Sequence, residues 1–569
     1  MRALLWLPLA AAAVAQTPVL VADIQPGAGN ATAVPVDAID VEGTLYFRAS
    51  NGPSGTELFR SDGTVAGTRL VKDIFPGLAS SVPTELTELH GRVLFSALAG
   101  LNESELFVSD GSEAGTVKIE LVPGPLGSFP RDLVAAGPRV FFTAATPAFG
   151  RELWTTDGTV AGTRMVADLS PGPQSSQFRQ VTAVQERVFF VATTPSFGSE
   201  LWVSDGTAAG TRLVRELRPG PASASITELT ALGNRLYFAG FDGAGQELWS
   251  SDGTASGTYR TDLLPGPSSS SPRRLTRVGR RLFFVAEDAS GRTGLWVVEL
   301  FGRLRRVCDL QPAGSMALGE FVAVSERLFF SLQTVAEGRE LWTSDGTAAG
   351  TVIVRDLAIG SASSNPSILT AVGSRYLVFQ ADDGRSGKEL WRSDGTPLGT
   401  RQLGDLRRGS ADSFPDSIAV SNGIVFFFAS TDSVGRELHR VELGALAQAF
   451  GAGCGSAGRV PELRATDPVT FGTMTLAGDQ APAGASCAVL LGRPAASPLV
   501  LFGCRLYLAP FAPPTTLAAF PVPFTGFFTR TIPAPTLPVG MRFVLQASFG
   551  ALTTRLVERS NPVLLVGGW

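Results

Sequence analysis

ELWTTDGTVAGTRMVADLSPGPQSS, Glu152 to Ser176, returns 48 residues later as ELWVSDGTAAGTRLVRELRPGPASA, Glu200 to Ala224. The same opening recurs at Glu57 (ELFRSDGTVAGT), Glu105 (ELFVSDGSEAGT), Glu247 (ELWSSDGTASGT), Glu340 (ELWTSDGTAAGT) and Glu389 (ELWRSDGTPLGT). Its third letter serves as a ruler. It falls at Phe59, Phe107, Trp154, Trp202, Trp249, Trp296, Trp342, Trp391 and His439, in steps of 46 to 49 residues. The sixth copy, GLWVVELFGRL, has lost the DGT and carries Gly294 in place of Glu, yet keeps the period.

A repeat of ~40–50 residues suits either a propeller blade or a helical repeat. The local pattern decides. Each unit holds four short β-like runs divided by Gly, Pro, Asp and Ser, as in ITELTALG, NRLYFAG, ELWSSDG and TYRTDLLPG of the fifth. The second run is apolar on both faces (VFF at Val140 and Val188, LFF at Leu282 and Leu328), which places it mid-sheet between neighbours. No 3.6-residue period runs over ten residues. The reading is a four-stranded antiparallel sheet per unit, packed radially as a β-propeller. VLVADIQPG at Val19 matches a fourth strand, and ELHRVEL at Glu437 a third. Together they complete one blade and bury two sheet edges. The count is about nine blades, with eight as the alternative.

The repeats resemble the ELWxxDGT repeat family of secreted bacterial proteins over about Val19 to Leu443. That resemblance implies a propeller-like domain and little about activity. The departures are Gly294, the lost DGT of the sixth unit, and His439 in the last.

Composition bounds the rest. The chain has 569 residues, 44% hydrophobic and 17% charged, and a net charge of −4, so bulk electrostatics draws it to no nucleic acid. Two histidines, His90 and His439, and four cysteines leave little for multi-His zinc sites. MRALLWLPLAAAAVAQ has a basic start, an apolar run and a small-x-small site at Ala13-Val14-Ala15, so residues 1–15 read as a signal peptide. No later run is long enough to span a membrane. The propeller is assigned to 16–444 and a small-residue linker to 445–459. Residues 460–569 are Pro-rich and low in charge, and read as a C-terminal β-sandwich, Ig-like, of about seven strands. A disulfide Cys454–Cys504 is favoured, with Cys454–Cys487 as the rival; Cys308 reads as a buried free thiol. The FGxGC…GC…Q…SN frame resembles the C-terminal domains of secreted planctomycete-type proteins, which implies a sandwich with a surface or carbohydrate role.

Asp62, Asp110, Asp157, Asp205, Asp252, Asp345 and Asp394 precede Gly in the turn between third and fourth strands. Asp accepts backbone N–H bonds in such a turn and Gly takes the positive φ. A similar turn in the Asp-box of sialidase-like propellers is a folding element. The alternative is calcium, which wants six to eight oxygens per ion; the D-x-D-x-D spacing is absent and no cofactor is expected. The recurring Glu is expected to pair with the GTR arginines Arg69, Arg164, Arg212 and Arg401, and the Trp/Phe ring to be core.

The loops between second and third strands vary from copy to copy, so recognition is assigned there: Phe149 and Phe197 for stacking, Asp242, Asp288, Asp382 and Asp383 for hydrogen bonding. No GxSxG, HExxH or P-loop occurs. The reading is an exported, non-enzymatic scaffold binding an unknown protein or carbohydrate at the bacterial surface or outside the cell. The alternatives are a carbohydrate-active enzyme with loop carboxylates across the channel, and a calcium-stapled adhesin.

Overall fold

The computed structural model describes residues 17–27, 29–32, 37–299, 302–310 and 318–443, and the backbone of nine short strands between 463 and 565. The chain divides into two units, Met1–Leu443 and Gly444–Trp569. The signal peptide of 1–15, the linker of 445–459 and the Cys454–Cys504 bridge lie outside the described residues. In the second unit Leu463–Ala465, Thr473–Gly478 and Phe528–Pro533 form one antiparallel sheet. Six further strands pair in twos, one pair (Phe543–Leu545 with Val563–Leu565) being parallel. The packing of these sheets into a sandwich lies outside the described residues.

The first unit is all-β: nine four-stranded sheets, the blades of a propeller. Blade 1 runs β2 (Ala38–Val41), β3 (Thr44–Ser50), β4 (Thr56–Ser61) and β5 (Arg69–Lys72), each antiparallel to the next. Blades 2 to 8 repeat that order. Blade 9 makes only three strands of its own, Asp416–Ser421, Ile424–Ser430 and Arg436–Glu442. Its fourth is β1 (Val19–Ala22) from the chain's other end, with Leu20 opposite His439. The first strands of successive blades lie side by side, and that of blade 9 lies beside β2, so the ring is closed around a channel.

The period of the sequence becomes a register. In every blade a Phe of the second strand stands opposite the ruler residue of the third: Phe47 opposite Phe59, Phe142 opposite Trp154, Phe190 opposite Trp202, Phe427 opposite His439. Several pairs stack, Phe95 on Phe107 at 5.6 Å and Phe238 on Trp249 at 6.3 Å. The core lies between blades, because each sheet is buried on both faces. Val188 to Ala192 are all buried, and Phe47 and Phe59 share a cluster with Phe426, Phe428 and Leu438 of blade 9. Each such ring adds ~1.5–3 kcal/mol of burial, which welds units too small to stand alone.

The recurring Glu does not pair with arginine. Glu57, Glu105, Glu152, Glu200, Glu247, Glu340, Glu389 and Glu437 are fully buried. They hold the link to the following blade by accepting its backbone N–H groups. Glu152 accepts from Leu169 N (3.0 Å), Ser176 N (3.2 Å) and Ser176 Oγ (2.7 Å). Glu57 does the same with Ile74 and Ser81, and Glu247 with Leu263 and Ser270. The link curves through irregular backbone that forms no ladder, and a buried unpaired N–H is costly; a carboxylate satisfies three donors at once. The GTR arginines reach the next blade instead: Arg164 donates to Gly206 O at 3.1 Å and Arg212 to Gly253 O at 3.1 Å.

Each DGT turn closes on itself. Asp205 Oδ1 accepts from Thr207 N (2.9 Å) and Thr207 Oγ1 (2.7 Å), Thr207 Oγ1 accepts from Gly210 N (2.9 Å), and Thr211 Oγ1 donates to Thr207 O (2.7 Å). The hydroxyl bond is the main reason the Asp205 carboxyl lies below its ordinary range. A Cβ on Gly210 would collide with that carboxylate. Gly210→Ala is therefore expected to cost about 1–3 kcal/mol, read as a lower melting temperature, although the residue sits in an exposed turn.

Candidate functional site: the channel of the propeller

The first strand of each blade is an inner edge, with backbone donors and acceptors that no fifth strand pairs. The sequence answers with a bulge. Between Thr84 and Thr87 the register slips, and Glu85 takes a left-handed φ of 60°. Its carboxylate then accepts Leu133 N of the next blade's first strand at 3.3 Å. Gln180 does so for Leu229 N (3.3 Å), Glu228 for Leu275 N (3.1 Å) and Glu320 for Leu369 N (3.0 Å). Thr87, Thr182 and Thr230 hydroxyls donate across the same seams to carbonyls of Leu133, Leu229 and Leu275. The inner ring is laced in this way at four seams, between blades 2 and 3, 4 and 5, 5 and 6, and 7 and 8. Burial, opposed by the Leu133 N–H and reinforced by Asp132 and Asp37 on the flanking blades, raises the Glu85 carboxyl above its ordinary value. Asp132 and Asp37 thus both lie within electrostatic reach of Glu85.

Charge is unevenly spread over these inner strands. Blades 1 and 2 carry Asp40, Glu85 and Glu88 there and no Lys or Arg; Asp37 lies just before β2 and Glu42 in the adjoining turn. Blade 6 carries Arg273, Arg274 and Arg277 and no acid, with Arg280 in its turn. In a ring of nine, blade 6 is four steps from blade 1 one way and four from blade 2 the other. The basic arc therefore faces the acidic seam across the channel. From 273 to 309 the chain holds nine Arg against four acids, in a protein whose net charge is −4.

Blade 6 departs from the pattern elsewhere too. Gly294 replaces the buried Glu, and Arg306 fills the space beside it, paired with Asp288 at 3.1 Å and with Asp309. At the bulge, Arg274 (φ 58°) stands where blades 2, 4, 5 and 7 place an acceptor for the next blade, and where blade 8 has Ile368. A guanidinium has no acceptor to offer Phe321, the next blade's counterpart of Leu133, and the lace is not made at this seam. Arg274 and Arg280 are exposed, and their guanidinium groups have no partner among the described residues. Arg277 donates Nε to Gly279 O at 3.2 Å and is otherwise exposed.

The residues assigned to recognition lie elsewhere, on the loops between second and third strands. Those loops sit over the blade links, as Thr56 N donating to Ser80 Oγ (2.9 Å) shows. The acids there serve their own loops. Asp242 accepts Ala244 N (3.0 Å) and pairs with Arg260 (3.4 Å). Asp288 accepts from Ser290 N, Ser290 Oγ and Arg292 N, and Arg306 is beside it; the Ser290 hydroxyl leads the causes that hold its carboxyl at about 2. Asp382 accepts Gly384 N, and Asp383 accepts Arg385 N, Ser386 N and Ser386 Oγ. Phe197 packs edge-on against Trp202 at 6.3 Å, while Phe149 is exposed. These six residues are spread over blades 3, 4, 5, 6 and 8 and do not meet. Among the described residues no group of three or more His, Cys, Asp or Glu could hold a metal ion, and no helix is long and apolar enough to cross a membrane. His90 Nε2 lies 3.3 Å from Pro138 O, and His439 is buried against Phe427. Cys308 is a half-buried free thiol.

The arginines of blade 6 are visible in SSPRRLTRVGRRLFF, Ser270 to Phe284. The signal that singles them out is the charge of each repeat counted separately.

No family model matches the chain, and no curated protein does. Solved structures do. A puromycin hydrolase is 15% identical over 64% of this chain and 61% of its own, with a TM-score of 0.33. Prolyl oligopeptidase B from Galerina marginata is 12% identical over 64% and 56%, at 0.36. The β-propeller domain of the Trilobed protease from Pyrococcus furiosus, described as having an open velcro topology, is 11% identical over 57% and 97%, at 0.32. The match thus spans less than two thirds of the first two chains. These comparisons correct the expectation of a non-enzymatic scaffold for protein or glycan binding. The named neighbours are hydrolases and peptidases. At these identities the likeness is of fold, and no activity passes from it to this chain.

Proposed function

We propose that the propeller holds a charged ligand in its channel, oriented between the acidic arc of blades 1 and 2 and the basic arc of blade 6. The observation that carries this reading is the charge of the inner strands of blades 1, 2 and 6: only acids at Asp40, Glu85 and Glu88, with Asp37 just before them, and only arginines at Arg273, Arg274 and Arg277. Opposed arcs in a recessed, low-dielectric passage concentrate the field, and a ligand entering it is both attracted and aligned. The acids of the varied outer loops are spent on their own turns, whereas in blade 6 Arg274 and Arg280 are exposed without a partner among the described residues. The N-terminal stretch with Arg2 and Ala13-Val14-Ala15 supports export, so the ligand is one met outside the cytoplasm.

Titration calorimetry with two small probes, spermine and tripolyphosphate, tests the reading. At least one is expected to bind, with a Kd rising about tenfold or more between roughly 20 and 200 mM salt as the Debye length shortens. Silence of both probes at low salt would overturn it.

A further inference from the structure

We infer that blade 6 carries a site for a compact polyanion, an oligophosphate or polycarboxylate, seated on Arg274 and Arg277 with Arg280 at the channel mouth; this rests on the channel reading above. Three observations converge on it.

The first is availability. Several arginines of the propeller hold blades together: Arg60 donates to Gly111 O, Arg92 to Gly158 O, Arg215 to Thr258 O and Arg355 to Thr400 O. Arg274 and Arg280 have exposed guanidinium groups without a partner among the described residues. A guanidinium offers five donors in a planar fork matched to carboxylate and phosphate, so an idle cluster is unused recognition capacity.

The second is replacement. The bulge of the first strand serves elsewhere to aim an acceptor at the next blade, as Glu85, Gln180 and Glu228 do. At Arg274 the same left-handed backbone is kept, φ 58° against 60° for Glu85, while the acceptor is exchanged for a donor. The seam loses its lace and the channel gains a cation. Blade 8 also lacks the acceptor, with Ile368 (φ 54°) at its bulge, but only blade 6 puts a charged donor there.

The third is spacing. Arg274 and Arg277 are three residues apart on one strand, across its bulge, so their backbones are at most about 10 Å apart at ~3.3 Å per residue. Two long side chains close that gap onto a ligand with several anionic oxygens, whereas a single small anion reaches one of them. The acids of blades 1 and 2 across the channel repel such a ligand toward blade 6, which fixes the side on which it sits.

The experiment is calorimetric titration of the propeller with tripolyphosphate and, in a second arm, citrate. The proteins are the native chain, the Arg274→Gln/Arg277→Gln pair and an Arg303→Gln control on the outer part of the same blade. All three substitutions are at exposed positions, and matching melting curves establish that the variants fold. Tripolyphosphate or citrate should bind the native chain and the control alike, and bind the double variant at least about tenfold more weakly, the loss expected for charge-assisted hydrogen bonds. The arm with the larger loss tells phosphate from carboxylate. Equal affinity for all three proteins would overturn the site. If both anions fail while spermine binds in a manner abolished by Glu85→Gln/Glu88→Gln, the blade 6 site falls and the charged-channel reading stands. If spermine fails too, both fall.

Discussion

Removal of residues 17–32 should abolish the cooperative melt of the propeller or lower its midpoint by more than about 10 °C, a larger effect than the loss of any other segment of equal length. The reason is topological. β1 supplies the fourth strand of blade 9, and without it the strand Arg436–Glu442 becomes a bare edge. Val21 and Ala31, both buried, leave a cluster shared with Phe47, Phe428 and Leu438, which is the seam between the first blade and the last. The buried carboxylate of Glu437 loses Ile24 N (2.8 Å), Gln25 N (3.3 Å) and Ala31 N (3.2 Å) together. A single substitution isolates that last part. Glu437→Ala leaves three donors without their acceptor at about 1–3 kcal/mol each where water cannot reach them, so a loss of about 3–5 kcal/mol is expected from thermal denaturation. A melt of the truncated chain that matches the intact one would show that the ring does not depend on its closure. Ser421 Oγ donating to Asp40 Oδ1 at 2.5 Å and the β2 seam would then have to hold the ends by themselves.

How much of this was legible in the residues follows from what a repeat encodes. Blade count, strand order and closure were readable because they rest on covalent spacing and on a two-faced apolar run such as VFF at Val188, whose burial on both sides follows from composition alone. The role of the recurring Glu was not. ELW beside a downstream Arg suggests an ion pair, because sequence shows charges but not free backbone donors. The partner of Glu152 is the N–H of Leu169 and the N–H and hydroxyl of Ser176, 17 and 24 residues on. The Ser that closes six of the links, at Ser81, Ser128, Ser176, Ser270, Ser364 and Ser413, is the trace of that latch. The channel site escaped for a related reason. Variation draws attention to loops, whereas Arg274 varies within a strand, at a position whose meaning depends on a bulge. Loop acids such as Asp288 looked free because their partners, Ser290 and Arg292, are only two and four residues away and read as loop filler.

Acidification from about pH 8 to about pH 5 should stabilise the propeller, raising its melting temperature by about 5 °C or more, with a decline below about pH 4. The latch carboxyls set the sign. Burial pushes Glu152, Glu200, Glu389 and Glu437 up to about 7, against the N–H and O–H donors that favour the charged form; neighbouring Asp168, Glu216, Asp405 and Asp23 respectively add to the rise. Glu57, Glu105 and Glu340 are raised for the same first cause. An acid whose folded value lies above its unfolded ~4.5 binds more protons folded than unfolded within that window. Its contribution is complete below 4.5 and is lost as pH rises through the folded value. A shift of this size is on the order of 3 kcal/mol per group, and a fraction of it over four groups moves a unit of this size by several degrees. The turn acids act oppositely. Asp62, Asp157 and Asp205 are lowered, first by their Thr hydroxyls, so their contribution is present above ~3.8 and disappears below. The two sets together place the optimum near pH 5. Glu200 offers the sharpest check, because its link ends in Ala224 where most links end in Ser, and its carboxylate accepts only from Leu217 N (3.1 Å) and Arg218 N (2.9 Å). Ala224→Ser restores the hydroxyl donor, which favours the charged form. It should stabilise the protein by about 1 kcal/mol at pH 8 and by less at pH 5. Equal effects at both values, or a melting temperature that climbs from pH 5 to pH 8, would mean that the latches are ionised throughout and that their hydrogen bonds outweigh their burial.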